Sequence, residues 1–217
     1  MAAFSVFDPS SFRQRLKTDP LPGVEAQKRL APPGRFPKEG EPNPYVANDQ
    51  TRFAAVLLLL YPDPTRQQLV FPLIVRTEQE GSVHSGQVAF PGGKVEPGEN
   101  PLETALRETA EEIGVKVSPE QVLGELTEIY IPPSNFMVYP FVAYVEQKPL
   151  FLPDAQEVAS IFETPVAKLL SDDTRKIKPV QYKGMDLLLP YLDLDQNMVW
   201  GATAMILSEF AEVWRKL

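Results

Sequence analysis

Hydrophobic and polar positions divide the chain into short runs with two different periods. Residues 53–60, from Phe53 to Leu60, are apolar without a break, as in a strand covered on both faces. Tyr61-Pro62-Asp63-Pro64 ends that run. Residues 69–77 predict a second strand, in which Pro72 is tolerated only at an edge or a bulge. Residues 87–90 predict a short third strand, ended by Pro91-Gly92-Gly93. Strand-like runs follow at 122–131 and 137–145, and strands at 177–182 and 185–189 predict a hairpin around Lys183-Gly184.

Helical spacing replaces this pattern in one central stretch, where Leu102, Ala105, Leu106, Thr109 and Ile113 form an apolar stripe. Asn100 is placed to cap the helix, Pro101 suits its first position, and Glu103 completes a capping-box pattern. Gly114 stands where a C-terminal stop belongs. Further helices are expected at 165–170 and at 202–216. Strands outnumber scattered helices, so the fold class is α+β, with a sheet layered between helices as an α/β/α sandwich. There is no internal repeat and no low-complexity tract.

Residues 1–50 follow neither period and hold eight prolines. Asp8-Pro9-Ser10-Ser11 predicts a capped helix to about Lys17. The remainder is expected to run extended over the surface. This gives a Pro-rich segment at 1–50, either a loose arm or packed on the domain or a partner subunit, and a domain at 51–217.

Composition then narrows the chemistry. With 217 residues, 43% hydrophobic and 23% charged, the chain can bury a sizeable core. The absence of cysteine excludes disulfides, zinc–thiolate sites and thiol nucleophiles. No secretory signal is visible, and the longest apolar run is far below the ~20 residues that span a bilayer. A soluble, cytoplasmic protein is expected. The net charge of −8, without a basic stripe, argues against nucleic acid as a partner. An acidic chain still handles an anionic phosphate ligand when a divalent cation stands between them.

Residues 94–112 supply the reason to expect that cation. They hold six glutamates, Glu96, Glu99, Glu103, Glu108, Glu111 and Glu112, opposed only by Lys94 and Arg107. Helical geometry stacks Glu108 and Glu112 on one flank, with Glu111 three residues from Glu108. Two such charges roughly 6 Å apart repel by about 3 kcal/mol at an effective dielectric near 20. A solvated acidic face would tolerate this, whereas Mg2+ or Mn2+, which prefer hard oxygen ligands, would turn the repulsion into attraction.

The order is Gly93, five residues, Glu99, seven residues, Arg107-Glu108, two residues, Glu111-Glu112, one residue, Gly114-Val115. This resembles the Nudix box at every fixed position, with Thr109 where an aliphatic residue is usual. The resemblance implies a Nudix fold, a mixed β-sheet between α-helices, and hydrolysis of nucleoside diphosphate derivatives. It implies Mg2+ or Mn2+ on Glu108, Glu111 and Glu112, with Arg107 orienting the carboxylates by pairing with Glu99. Glu111 or Glu108 is the expected general base, and Glu157, placed in a loop after the sheet, is an outside candidate.

A narrower resemblance, to the coenzyme A pyrophosphatase branch, lies in Arg76-Thr77 and in His84-Ser85-Gly86-Gln87-Val88-Ala89-Phe90-Pro91-Gly92-Gly93. It continues in Pro132-Pro133-Ser134-Asn135-Phe136 and in Trp200-Gly201-Ala202-Thr203-Ala204. It implies cleavage of coenzyme A to 3′,5′-ADP and 4′-phosphopantetheine, and a homodimer. Arg76, His84, Gly92, Gly93, Asn135 and Phe136 become candidate substrate contacts. Four of them also have a plainer reading: a salt bridge for Arg76, a loop hydrogen bond for His84, a turn and a core aromatic for Asn135 and Phe136. Trp200 is expected in the core. Between Arg76 and Gly86 the chain is one residue longer than the usual signature, and Gly81 or Ser82 stands near the position of a usual arginine. ADP-ribose, NADH and dinucleotide polyphosphates therefore stay open as substrates, as does a binding module without catalysis.

Overall fold

The computed structural model describes residues 7–37, 40, 46–77, 86–182 and 184–216. Its elements run α1 (Pro9–Thr18), α2 (Gly23–Gln27), β1 (Arg52–Asp63), β2 (Gln68–Arg76), β3 (Val88–Ala89), β4 (Gly92–Lys94), α3 (Pro101–Ile113), β5 (Val122–Glu125), β6 (Ile129–Ile131), β7 (Phe136–Tyr144), β8 (Val158–Pro165), α4 (Val166–Leu169), β9 (Arg175–Tyr182), β10 (Met185–Leu194), β11 (Asn197–Val199) and α5 (Gly201–Arg215).

β1 is the central strand because it is apolar on both faces. Leu58 and Leu60 point into a core shared with Phe71 and Leu73 of β2, Phe12 of α1, and Met205 and Phe210 of α5. Leu57, Leu59 and Tyr61 point into a second core with Ala105 and Ile113 of α3. The sheet is thus covered by α1 and α5 on one side and by α3 on the other. It is mixed: β7 runs parallel to β1, while β2 and β4 pair with β1 antiparallel. β3 and β8 extend the β2 side, and β5 and β6 pair with β7. β9, β10 and β11 form a separate three-stranded antiparallel sheet. Among the described residues no helix is long and apolar enough to cross a membrane.

Several elements differ from the sequence pattern for identifiable reasons. β2 pairs with β1 through Val70 and with β3 from Ile74, so Pro72 lies in the step between the two pairings. The run at 122–131 splits into β5 and β6, because Glu209 of α5 takes the Thr127 N–H (3.2 Å) and hydroxyl (2.7 Å). β8 has no counterpart among the predicted strands. Residues 23–30, expected to be extended, form α2 and a 3-10 turn, tied down by Gln27, whose Nε2 donates to Glu209 at 3.0 Å. Trp200, expected in the core, is 39% exposed, because it precedes the first turn of α5 and lies outside that helix's buried stripe.

The N-terminal segment makes extensive contact with the domain. Phe12 is fully buried, with its ring centroid 5.9 Å from Phe210 and 5.7 Å from Trp214. Leu16 packs against Gly124 of β5, where a larger residue would collide with it. Phe12→Ala is expected to lower the unfolding free energy by about 3–5 kcal/mol, read from the urea midpoint. A change below ~1 kcal/mol would place α1 outside the cooperative core.

Candidate active site

The site depends on how α3 is started and rotated. Asn100 Oδ1 accepts the Glu103 N–H at 3.0 Å, and Glu103 Oε2 accepts the Asn100 N–H at 2.9 Å. Gly114 ends the helix at φ +73°. Ala105, Thr109 and Ile113 face the sheet and are fully buried. That rotation grades the three box glutamates: the side chain of Glu112 is 2% exposed, Glu108 15% and Glu111 60%.

Glu112 is held on both oxygens. The Gly92 N–H donates to Oε2 at 2.8 Å, and Arg76 Nη1 donates to Oε1 at 3.0 Å. Burial pushes its carboxyl up to about 7; Gly92 and Arg76 oppose that rise, while the charges of Glu108 and Glu157 add to it. The two glycines beneath, expected as a tight turn approaching ligand, form β4 on the edge of β1. Gly92 has φ +153°, and a Cβ there would enter the backbone of Ala55 and Val56. At Gly93 a Cβ would strike the Glu108 carboxylate. The lack of side chains lets strand approach strand and lets a carboxylate rest on the sheet.

Arg107 gathers the remaining glutamates. Nε donates to Glu99 Oε1 at 2.6 Å and Nη2 to Glu99 Oε2 at 3.0 Å. Nη1 donates to Glu108 Oε1 at 2.9 Å and to Glu111 Oε2 at 2.8 Å. Arg107, with the Thr104 hydroxyl, holds the Glu99 carboxyl down at about 2. Burial raises Glu108; Arg107 opposes this, and Glu111 and Glu157 reinforce it. The second oxygens of Glu108 and Glu111 receive no hydrogen bond from a described residue.

Glu157 joins this group from a turn that precedes β8, not from a loop after the sheet. Its N–H donates to the Asp154 carbonyl at 3.1 Å, and its own carbonyl accepts the Thr77 N–H at 3.0 Å. Arg76 Nη2 lies 3.7 Å from Glu157 Oε2. The pairing of β8 with β2 is what brings this turn to α3. Asn135 and Phe136 are not brought to the carboxylates. Phe136 starts β7 opposite Arg52, with Asn135 in the turn just before it, three residues along β1 from the Gly93 register, or about 10 Å. Asn135 Oδ1 accepts from Thr51 and Tyr130, both at 3.0 Å, and the Phe136 ring lies 4.1 Å from the Arg52 guanidinium. His84, Gly81 and Ser82 lie outside the described residues.

Five carboxylates (Glu99, Glu108, Glu111, Glu112 and Glu157) thus face two guanidiniums, a formal excess of three negative charges. Among the described residues no three acidic side chains already enclose a metal-sized site, and the glutamates are paired with Arg107 and Arg76. The excess charge and the all-oxygen donor set nonetheless fit a hard divalent cation.

The raised Glu112 carboxyl has a consequence for stability. Its folded value of about 7 lies above its ordinary 4.5, so the folded chain holds the extra proton between those pH values. Its burial therefore costs little at acid pH and progressively more as pH rises through that window. In EDTA, Glu112→Gln is expected to gain stability relative to the parent from pH 4.5 to 7, by up to about 3 kcal/mol, and to level off above. Urea midpoints across the window check this; a pH-independent difference would contradict it.

Comparison with known proteins gives the family. The chain is 33% identical over 181 residues to the uncharacterized Nudix hydrolase NudL of Photorhabdus laumondii subsp. laumondii, covering 82% of this chain and 93% of that protein. It is 31% identical over 176 residues to the NudL of Yersinia enterocolitica serotype O:8, covering 81% and 87%. A MutT/nudix family protein from Enterococcus faecalis shares the fold with a TM-score of 0.54 at 17% identity, over 79% of this chain and 63% of that one. The Nudix hydrolase RenU from M. smegmatis does so with a TM-score of 0.50 at 19% identity, over 76% and 87%. The NUDIX domain family matches residues 51–185, which contain the whole carboxylate cluster, and the chain belongs to that family as a pyrophosphohydrolase of nucleoside diphosphate derivatives.

Proposed function

We propose that this enzyme cleaves the pyrophosphate of coenzyme A or acyl-coenzyme A in the presence of Mg2+ or Mn2+, releasing 3′,5′-ADP and (acyl-)4′-phosphopantetheine. The observation that carries the reaction class is the carboxylate group on α3, graded in burial and tied together by Arg107. Glu108, Glu111 and Glu112 are the residues assigned to hold the cation. When bound, it polarises phosphoryl oxygens, offsets developing charge and lowers the pKa of an attacking water. Glu111 is assigned to take the water proton: it is the most exposed of the three, and Arg107 engages only its Oε2. Arg107 and Glu99 keep the array in place from the start of the helix.

Support for coenzyme A comes from the sequence phrases and from how two of them pack. The Thr203 hydroxyl donates to the Val88 carbonyl at 3.0 Å, which joins the start of α5 to β3, the strand paired with the end of β2. The departure between Arg76 and Gly86 favours other nucleoside diphosphate derivatives instead.

Purified protein incubated with Mg2+ or Mn2+ and a panel of coenzyme A, ADP-ribose, NADH and diadenosine polyphosphates separates these possibilities. Release of 3′,5′-ADP from coenzyme A is expected, with Glu111→Gln at least ~100-fold slower. Preference for ADP-ribose or NADH would keep the reaction class and overturn the substrate. Turnover of none would leave a substrate outside the panel or a binding role. Gly93→Ala is expected to slow turnover by about 100-fold through displacement of Glu108. Because the added methyl meets a side-chain tip and not backbone, its stability is expected to change by less than ~1 kcal/mol.

A further inference from the structure

Arg76 stands where three elements of the site meet. It is the last residue of β2, its Nη1 reaches Glu112 on α3, and its Nη2 faces Glu157 on the turn before β8. The β2–β8 ladder shifts register here: Val75 pairs with Ser160 and Arg76 with Val158, leaving Ala159 as an extra residue on β8. Such a bulge re-aims the side chains around it. The backbone on either side is fixed, since the Arg76 N–H donates to the Gln87 carbonyl and the Thr77 N–H to the Glu157 carbonyl, each at 3.0 Å.

We propose that Arg76 is a positioning residue, which sets the orientation of Glu112 and tethers Glu157 for cation binding, and is not a clamp on substrate phosphate. This rests on the reading of the glutamates as a cation site. Glu112 is 2% exposed and its two oxygens are divided between Arg76 and the Gly92 N–H. The carboxylate is therefore oriented from β2 on one side and β4 on the other. To reach a phosphate, the guanidinium would have to leave a buried carboxylate unpaired, which is strongly unfavourable. A planar fork that presents Nη1 to one carboxylate and Nη2 to another does what a lysine ammonium, a single point charge, does not. Polar partners that orient a metal ligand typically change metal affinity by 10–100-fold when altered.

The test is Mn2+ titration of the parent, Arg76→Lys and Arg76→Gln, following free Mn2+ by electron paramagnetic resonance, with kcat and KM measured on the same samples. Thermal melts in EDTA establish that each variant is folded. Arg76→Lys keeps a positive charge beside Glu112 and so remains informative if Arg76→Gln does not fold. Both variants are expected to bind Mn2+ roughly 10–100-fold more weakly, with kcat reduced and KM within about twofold of the parent. Parental affinity in Arg76→Lys, or tighter binding in Arg76→Gln, would overturn the proposal and leave Arg76 as a charge alone. Unchanged Mn2+ affinity with a raised KM would overturn it in favour of a phosphate clamp. If the parent itself bound no Mn2+, the cation reading of the glutamates would fall first and this proposal with it.

Discussion

A carboxylate taken almost wholly out of water has to be met by donors on both of its oxygens, and that requirement at Glu112 organises the rest of the site. One donor is the Gly92 N–H, which obliges residues 92–94 to lie as a strand against β1. The other is Arg76, which obliges β2 to end beneath the C-terminal half of α3. With the C-terminal half of the helix pinned to two strands, Glu108 comes to rest over Gly93, and Glu111 is left facing outward. One buried charge thereby fixes the rotation of α3, and with it the exposure of each glutamate.

The double-faced burial of β1 makes this possible. A central strand packed on one side only would leave α3 without a core to sit on. Here Leu57, Leu59 and Tyr61 supply that core, while Leu58 and Leu60 anchor the sheet to α1 and α5. The C-terminus of α3 is also joined to the segment beyond β7: the Leu152 N–H donates to the Ile113 carbonyl and the Asp154 N–H to the Glu112 carbonyl. The turn carrying Glu157 therefore hangs from the same helix end that carries Glu112.

Much of this was legible in the sequence wherever local chemistry dictates local structure. The uninterrupted apolar run gives β1, and Asn100, Pro101, Glu103 and Gly114 bracket α3 to the residue. Helical spacing brings Glu108, Glu111 and Glu112 together, but it does not say how deep each lies. Depth is set by the strands beneath, and Gly92-Gly93 reads as a turn until β1 is there to pair with it. β8 was hidden because its polar residues have distant partners. Glu163 accepts from the Tyr61 hydroxyl at 2.7 Å, 102 residues away in the chain, and from Lys148 at 2.8 Å, 15 residues away. Without β8 the turn at Glu157 has no place in the fold, so its proximity to Arg76 had no local signal. The break between β5 and β6 had the same origin in the remote Glu209.

The two arginines divide the work along the helix. Arg107 belongs to α3, and its contacts to Glu99, Glu108 and Glu111 hold those carboxylates together, while its Nη2 also donates to the Lys94 carbonyl of β4 at 3.4 Å. Arg76 belongs to the sheet, so its contact with Glu112 joins the helix to the strands. A formal excess of three negative charges remains after both arginines are counted, and Glu108 feels the charges of both Glu111 and Glu157. Repulsion of that kind is tolerable only in a framework rigid enough to hold like charges close, and it is strongest where burial keeps water from screening it. A hard divalent cation would offset that excess charge, and the carboxylates that repel one another in the folded chain are the kind of oxygen donors such a cation would need.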